Sequence, residues 1–448
     1  MNLNVNSISN QGNQRSAEDI KLHVHERLLA TLNLNEARLL PPDQLEAECS
    51  RQVEILLNEE NHPLSGPEKK QLVREVLDDV FGLGPLEALM RDPKVSDILV
   101  NGCDTIYVER NGRLNRSDMR FRDDEQVIRV IQRIAAQVGR HIDESSPMLD
   151  ARLKDGSRVN AIIPPLALDG PSLSIRRFGT ISLTVDNMID LDVFSPEMAE
   201  FLLTCVKCKM NILISGGTGS GKTTMLNLIS QAIPADERVV TIEDAAELQL
   251  LREHVVRLET RPANVEGVGA VPVGALLINA LRMRPDRIII GECRGSEALD
   301  MLQAMNTGHE GSMTTVHANN PRDAFMRLEN MVSLAGTNFP VTAIRQQISS
   351  ALNILIQVSR MTGGRRRVTH ISEVSHMEGE IILMQDLFRY RQTGITEDGH
   401  ADGYFEACGV RPNILKQFES EGVHLPDHYF QHRALETAAT YGEGAAHA

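Results

Sequence analysis

Residues 216–223 combine glycines, a lysine and a threonine in a spacing that can bind phosphate. They read Gly-Gly-Thr-Gly-Ser-Gly-Lys-Thr and follow an apolar run at 211–215. This fits the G-x-x-x-x-G-K-[ST] loop, in which successive backbone N–H groups turn inward around phosphate oxygens. Lys222 would reach the β- and γ-phosphates, and the Thr223 hydroxyl would ligate Mg²⁺ at the start of a helix. The predicted nucleotide-binding residues are Gly216, Gly217, Thr218, Gly219, Ser220, Gly221, Lys222, Thr223 and Thr224.

Two glutamates are predicted to lie at strand ends beside that loop. The apolar run 287–291 ends in Glu292, a pattern that places a carboxylate beside Mg²⁺ and the attacking water. Glu243 ends the strand predicted after the helix of the loop, so it comes to the carboxyl edge of the sheet, where ligands bind. We predict that Glu292 polarises water and that Glu243 orients water or metal. The candidate metal ligands are therefore Thr223, Glu243 and Glu292.

Two histidines, His309 and His317, lie on either side of the strand-like segment Ser-Met-Thr-Thr-Val. Their even spacing would put both side chains on one face of a strand. A zinc site would need a third ligand at a typical spacing, and the sequence offers none. We therefore interpret the pair as polar sensors of the phosphate state in the same catalytic site.

The composition is that of a globular protein with more than one domain. The chain has 448 residues, of which 42% are hydrophobic and 24% charged, and this length exceeds the size at which one core keeps growing. Its net charge of -15 would repel DNA and anionic lipid. Apolar runs fall far short of the roughly 18 residues of a membrane span, and the polar start lacks a secretory signal. With six scattered cysteines, this predicts a cytoplasmic protein without a transmembrane segment.

Two short motifs favour ordinary structural interpretations. Cys205 and Cys208 have the spacing of half a zinc or redox site, yet no second pair completes it, so we interpret them as thiols at a helix end. Arg365-Arg366-Arg367 is the only basic run of its kind. Because it follows two glycines, we interpret it as a solvated hairpin turn.

Periodicity divides the chain into segments. Helical patterns separated by proline-containing loops come first, followed by alternating strands around one helix, with Asn111-Gly112 as a hairpin signal. Strands that alternate with helices follow, as in a parallel sheet with crossover connections. The predicted segments are disordered tails at 1–16 and 433–448, a helical bundle at 17–81, an α+β domain at 82–178, a linker at 179–195 and a P-loop domain at 196–432.

The order of these motifs resembles that of one family. The phosphate loop, the segment around Glu243, the run that ends in Glu292 and the histidine segment match the Walker A motif, Asp box, Walker B motif and His box of the type II/type IV secretion and pilus-assembly ATPases. Further phrases at 258–262, 280–287 and 297–308 look like the Flp/tight-adherence pilus branch, the CpaF-like ATPases.

The resemblance implies an α/β fold. A P-loop (RecA-like) ATPase domain with a parallel-sheet core would follow a smaller α+β domain and an N-terminal helical bundle. It also implies ATP and Mg²⁺ as ligands, with ATP hydrolysed to ADP and phosphate. In that family the enzyme is a homo-hexamer, and arginines from the smaller domain close on the γ-phosphate, where a cation stabilises developing charge. Matching phrases make Arg158, Arg176 and Arg177 the candidates here.

The implied function is an ATP-hydrolysing cytoplasmic motor that powers assembly or retraction of a Flp/tight-adherence type IV pilus or a related secretion machine through nucleotide-driven domain motion. It would associate peripherally with the inner membrane by docking on an integral platform protein, without direct contact to nucleic acid. Two alternatives stay open. One is a DNA-transfer ATPase of the conjugation type, and the other is a nucleotide-gated scaffold with little turnover, which the presence of Lys222, Glu243 and Glu292 disfavours.

Overall fold

The computed structural model describes residues 24, 27–28, 42–59, 65–110, 113–177, 183–261, 263, 268–336 and 339–436. The chain forms two compact units, Met1–Gly179 and Thr180–Ala448. Several sequence predictions lie partly or wholly outside the described residues, namely the hairpin turn Asn111-Gly112, the tail 1–16, most of 17–41 in the predicted helical bundle, 179–182 of the predicted linker and the end of the chain from 437.

Two helices of the first unit pack around a small apolar core. Helix α1 spans Pro42–Glu59 and α2 spans Gly66–Phe81. Ser65 caps α2, because its hydroxyl accepts from the Glu68 N–H while the Glu68 carboxylate accepts from the Ser65 N–H. The buried residues of this core are Val24, Leu28, Val53, Leu56, Leu57, Leu72, Val73 and Val76.

An antiparallel sheet with a helix against it makes up the rest of the first unit. Its elements are α3 Leu86–Arg91, β1 Val95–Asn101, β2 Thr105–Arg110, β3 Arg113–Arg116, α4 Asp124–Gln137, β4 Met148–Arg152, β5 Arg158–Ile162 and β6 Ser172–Arg176. The strand order is β3-β2-β1-β6-β5-β4. Apolar residues at helical spacing on α4, such as Val127 and Ile131, share one core with strand residues such as Ile98 and Ile175. This is the α+β arrangement that the sequence predicts.

The second unit alternates strands and helices and then continues as an antiparallel sheet. Its first elements are α5 Val185–Asp190, α6 Pro196–Lys207, β7 Ile212–Gly216, α7 Lys222–Ser230, β8 Val239–Glu243, β9 Val255–Glu259, α8 Val273–Ala280, β10 Arg287–Ile290, α9 Glu297–Asn306 and β11 Met313–Val316. The later ones are α10 Pro321–Ser333, α11 Val341–Ala351, β12 Ile354–Arg360, β13 Arg366–Glu378, β14 Ile381–Ile395, β15 Ala401–Ala407, α12 Leu415–Ser420, a 3₁₀ turn Asp427–Phe430 and β16 Arg433–Ala434. No helix in the described ranges combines the length and apolar character needed to cross a bilayer.

Ten strands of the second unit form one sheet, in the order β16-β15-β14-β13-β12-β7-β11-β10-β8-β9. The strands from β12 to β9 pair in parallel, and those from β12 to β16 pair antiparallel. Strands β7, β8, β10 and β11 are buried along their whole length, as in a parallel sheet covered on both faces. The predicted parallel-sheet core is therefore confirmed, and the residues that follow these strands meet at one edge.

Two apolar cores cover the two faces of this sheet. Ile212 and Ile214 of β7 belong to one core, and Leu213 between them belongs to the other. This alternation follows from the side-chain period of a strand. The phosphate loop therefore follows a strand that is held from both sides.

The structure differs from the sequence expectations at two segments. The segment expected as a linker, 179–195, contains the short helix α5, which Thr184 caps. The segment expected as a disordered tail from 433 begins with β16, and Leu435 next to it is buried. Elements this short are below the length at which periodicity is informative, and β16 is ordered by pairing with β15.

Candidate active site

The phosphate loop connects β7 to α7 with a backbone that requires glycine at two positions. Gly219 and Gly221 have φ angles of +68° and +100°, a region that costs other residues about 1–2 kcal/mol. The loop then enters α7, whose free N–H groups at its N-terminus favour an anion. Of the remaining predicted ligands, Gly216, Ser220 and Lys222 are buried, Gly217 and Thr223 are half-buried, and Thr218 and Thr224 are exposed.

Lys222 is the cation of this loop, and it is largely buried. Its side chain donates to the Gly217 carbonyl oxygen over 3.2 Å, and its Nζ lies 3.2 Å from the His317 Nε2. Burial lowers the pKa of Lys222, and the nearby Glu292 carboxylate opposes that effect. A lysine held this way is oriented before any phosphate arrives.

Glu292 follows β10 and faces two basic side chains. Its Oε2 accepts from the Nε and Nη2 of Arg294 over 2.9 Å and 2.6 Å. Its Oε1 lies 3.0 Å from the Nε2 of His317. His317 thus bridges Glu292 and Lys222 at the carboxyl edge, although the three residues follow three different strands.

The imidazole of His317 cannot satisfy both of its neighbours at once. Its Nε2 either accepts a hydrogen bond from Lys222 or donates one to Glu292, depending on the tautomer. Burial, and then the Lys222 cation, lower the pKa of His317, which favours the neutral ring. When Nε2 accepts from Lys222, Glu292 Oε1 is buried without a donor, which leaves a carboxylate oxygen ready to accept from water.

Glu243 ends β8 and is almost completely buried. Its Oε2 accepts from the N–H groups of Glu247 and Leu248 over 2.6 Å and 2.9 Å, while its Oε1 is buried without a partner. A Cβ on Gly291 would lie 2.9 Å from the Glu243 Cγ, so the residue before Glu292 must be small. Burial raises the pKa of Glu243 to about 7, against the opposing effect of the two N–H groups.

These oxygen atoms fit the chemistry of a magnesium ion. Mg²⁺ prefers carboxylate, hydroxyl and water oxygens, and the site offers the Thr223 hydroxyl together with the unpartnered Oε1 atoms of Glu243 and Glu292. Ser220 adds a hydroxyl that is buried without a partner within the loop. The predicted metal ligands are therefore compatible with that ion.

His309 does not join this group. Strand β11 begins only at Met313, and it runs parallel to β7 with Met313 opposite Ile212 and Val316 opposite Ser215. His309 therefore precedes the strand, at the amino edge, whereas His317 follows it at the carboxyl edge. The expectation that both histidines share one strand face is wrong, because the strand is four residues long.

The three arginines predicted from the resemblance lie in the first unit. Arg158 forms an ion pair of 2.9 Å with Asp150. The side chain of Arg177 donates to the backbone carbonyls of Asp92 and Val95, so it fixes the end of α3. Arg176 is exposed on β6, opposite Arg158. Their role at a γ-phosphate stays a prediction.

Two further arginines of the site were missed by the sequence interpretation. Arg294 holds Glu292, and its own N–H and that of Gly295 donate to the Glu297 carboxylate over 2.7 Å and 2.8 Å. Arg366 donates from Nε to the Gly219 carbonyl oxygen of the phosphate loop over 3.0 Å. Of the two, only Arg294 could be identified from a local sequence feature, because it lies two residues after Glu292.

Comparison with known proteins decides the family. The model described as "Type II/IV secretion system protein" matches residues 79–398. The chain belongs to this family. The predicted resemblance to secretion and pilus ATPases is confirmed at that level, and membership supports nucleotide binding and ATPase activity for this chain.

Several relatives carry names from DNA transfer and secretion. A Mycobacterium tuberculosis protein named for conjugal transfer is 38% identical over 69% of this chain and 89% of its own length. The conjugal transfer protein TrbB of Rhizobium radiobacter is 33% identical over 74% of this chain and 97% of its own. The crystal structure of the VirB11 ATPase from the Brucella suis type IV secretion system is similar with 28% identity and a TM-score of 0.36, covering 66% of this chain and 97% of that one.

Proposed function

We propose that this chain is an ATP-hydrolysing motor of a pilus-assembly or secretion machine. The observation that carries the proposal is that His317 contacts both Lys222 and Glu292 at the phosphate loop, over 3.2 Å and 3.0 Å. This set supplies a cation for phosphate and a carboxylate for water, which are the parts that phosphoryl transfer to water requires.

In the proposed reaction, each residue of the set has a distinct task. The N–H groups of the phosphate loop and Lys222 bind the β- and γ-phosphates, and Lys222 turns from His317 to do so. Glu292 orients the attacking water and accepts its proton, while Arg294 holds the other carboxylate oxygen. Mg²⁺, held by Thr223 with Glu243 or Glu292, would neutralise charge on the phosphates when bound.

Within the family, we place the chain in the Flp/tight-adherence pilus branch. The support is the likeness of the phrases at 258–262, 280–287 and 297–308 to that branch. On this proposal the chain works as a homo-hexamer at the cytoplasmic face of the inner membrane. It would dock on an integral platform protein and convert hydrolysis into domain motion.

DNA transfer is the second candidate function, because relatives with 38% and 33% identity are named for conjugal transfer. The net charge of -15 disfavours direct contact with DNA. A conjugation role would therefore run through partner proteins.

Deletion of the gene in its native host separates the two candidates. We expect loss of surface pili with unchanged plasmid-transfer frequency, restored by the unmodified gene and by Arg365→Ala, an exposed position, but not by Glu292→Gln. Loss of plasmid transfer with intact pili would move the chain to the conjugation branch. Full complementation by Glu292→Gln would contradict a hydrolysing motor.

A further inference from the structure

The hairpin formed by β12 and β13 ends beside the phosphate loop. Its turn is closed by two backbone hydrogen bonds, from Met361 N–H to the Arg365 carbonyl over 2.7 Å and from Gly364 N–H to the Met361 carbonyl over 2.9 Å. Strand β12 is the parallel neighbour of β7, with Val358 opposite Gly216. The hairpin therefore has a fixed position relative to the first residue of the loop.

Two consecutive arginines at the start of β13 point in opposite directions. Arg367 is buried, with its guanidinium 4.6 Å from the centre of the Tyr390 ring, and it donates to the Asp192 carbonyl over 3.0 Å. Because successive side chains alternate along a strand, Arg366 lies on the other side. Arg367 thus anchors the strand from which Arg366 extends.

Arg366 forms a hydrogen bond to the phosphate loop at Gly219 and lies close to Gly221. Its Nε donates to the Gly219 carbonyl oxygen over 3.0 Å, and its Cδ lies 3.3 Å from the position of a Cβ on Gly221. These are the two loop glycines with positive φ. Within the described residues, no other side-chain hydrogen bond reaches the Gly219 carbonyl. Arg366 therefore covers the part of the loop whose backbone conformation is least favourable.

We propose that Arg366 is a positioning residue of the nucleotide site. It holds the Gly219 carbonyl outward, so that the N–H groups of the loop face the phosphates, and it adds a positive charge next to them. The role rests on the proposed function. It should matter for nucleotides that place a phosphate in the loop, and it should act on affinity more than on the chemical step, because Arg366 does not touch Glu292.

Equilibrium binding of fluorescently labelled ADP and ATP to the full chain tests this role. We expect Arg366→Ala to lower the affinity for both nucleotides about tenfold. The affinity of Arg366→Lys should lie between those of Arg366→Ala and the unmodified chain, because Lys keeps the charge without the planar donor. In steady-state hydrolysis, KM should rise by a similar factor while kcat changes little. Arg365→Ala is the matched control, since Arg365 is exposed one residue earlier and forms no side-chain hydrogen bond within the described residues.

Several outcomes would overturn the role. One is a nucleotide affinity of Arg366→Ala within twofold of that of the unmodified chain. Another is an equal loss of affinity in Arg365→Ala and Arg366→Ala, which would indicate an effect of overall charge alone. A fall in kcat with unchanged KM would also count against it. Failure of the proposed function is distinguishable, because then the unmodified chain would bind ADP and ATP without hydrolysing ATP.

Discussion

A buried glutamate with an unpartnered oxygen, Glu243, gives the site a pH dependence. Its pKa is raised to about 7 from 4.5, so the folded state holds this proton more tightly than the unfolded chain does. Stability from this group is complete below pH 4.5 and is lost as the pH rises to 7. This loss of stability applies to the nucleotide-free protein, since a bound cation would favour the charged carboxylate.

Replacement of Glu243 by Gln should remove the loss of stability that ionisation of Glu243 causes at higher pH. We expect Glu243→Gln to be more stable than the unmodified chain by about 2 kcal/mol at pH 8, with the difference shrinking towards pH 5. Urea unfolding at several pH values measures it. Glu247→Gln is the control, because its carboxylate lies nearby and is half-buried. A difference that stays constant from pH 5 to pH 8 would contradict the assignment.

Arg287 and Glu237 form a buried ion pair at the amino edge of the sheet. Arg287 is fully buried; its Nε and Nη2 donate to Glu237, and its Nη1 donates to the Val206 carbonyl over 2.6 Å. We expect Glu237→Ala to lower the free energy of unfolding by about 3–5 kcal/mol, because it leaves a buried cation without its partner.

Lys209 provides the matched control for this pair. It reaches the same Glu237 over 3.6 Å, but its side chain is 46% exposed, so Lys209→Gln should cost under about 1 kcal/mol. Chemical denaturation of both variants compares them. Equal losses of unfolding free energy in the two variants would show that burial of Arg287 does not determine the effect of Glu237→Ala.

At the level of elements, the backbone of the phosphate loop predicts that alanine is tolerated at one of its glycines and destabilising at another. Gly221→Ala should destabilise the fold by about 1–2 kcal/mol, because the residue has φ of +100°. Gly217→Ala is the control, since nothing lies within 4 Å of its Cβ position and its φ is not positive. Thermal unfolding of the two variants tests this, and a larger loss in Gly217→Ala would contradict it.

The parts of the site that were predictable are those encoded in short stretches of sequence. The loop, Glu243 and Glu292 are recognisable because each follows an apolar strand, and parallel strands end at one edge. The contact of Arg366 with Gly219 joins residues 147 apart in the chain, so no local pattern could reveal it. The position of His309 was misjudged because strand length is set by pairing with neighbours, which periodicity does not report.

At the level of the whole molecule, the proposed motor would do its work on partner proteins. Its net charge of -15 would oppose direct contact with DNA. If the chain works as an assembly, specific activity should rise with protein concentration and level off once assembly is complete. A specific activity that is constant over this range, with a monomeric mass in light scattering, would contradict an oligomeric motor.

Arg176 offers a further test at this scale. It is exposed on β6, whereas Arg177 is bound to the backbone of its own unit. We expect Arg176→Ala to lower kcat at least about tenfold without loss of stability, and Arg177→Ala to lower the thermal midpoint. Unchanged turnover in Arg176→Ala would contradict its predicted role at a γ-phosphate.

Steady-state hydrolysis of ATP in the presence of Mg²⁺ decides whether the chain is an ATP-hydrolysing enzyme. The comparison uses the unmodified chain, Lys222→Ala and Glu292→Gln, with phosphate release and nucleotide binding measured on the same samples. We expect turnover by the unmodified chain, loss of binding in Lys222→Ala, and retained binding with turnover reduced about 100-fold or more in Glu292→Gln. Nucleotide binding without turnover, or turnover that survives in Glu292→Gln, would contradict this expectation.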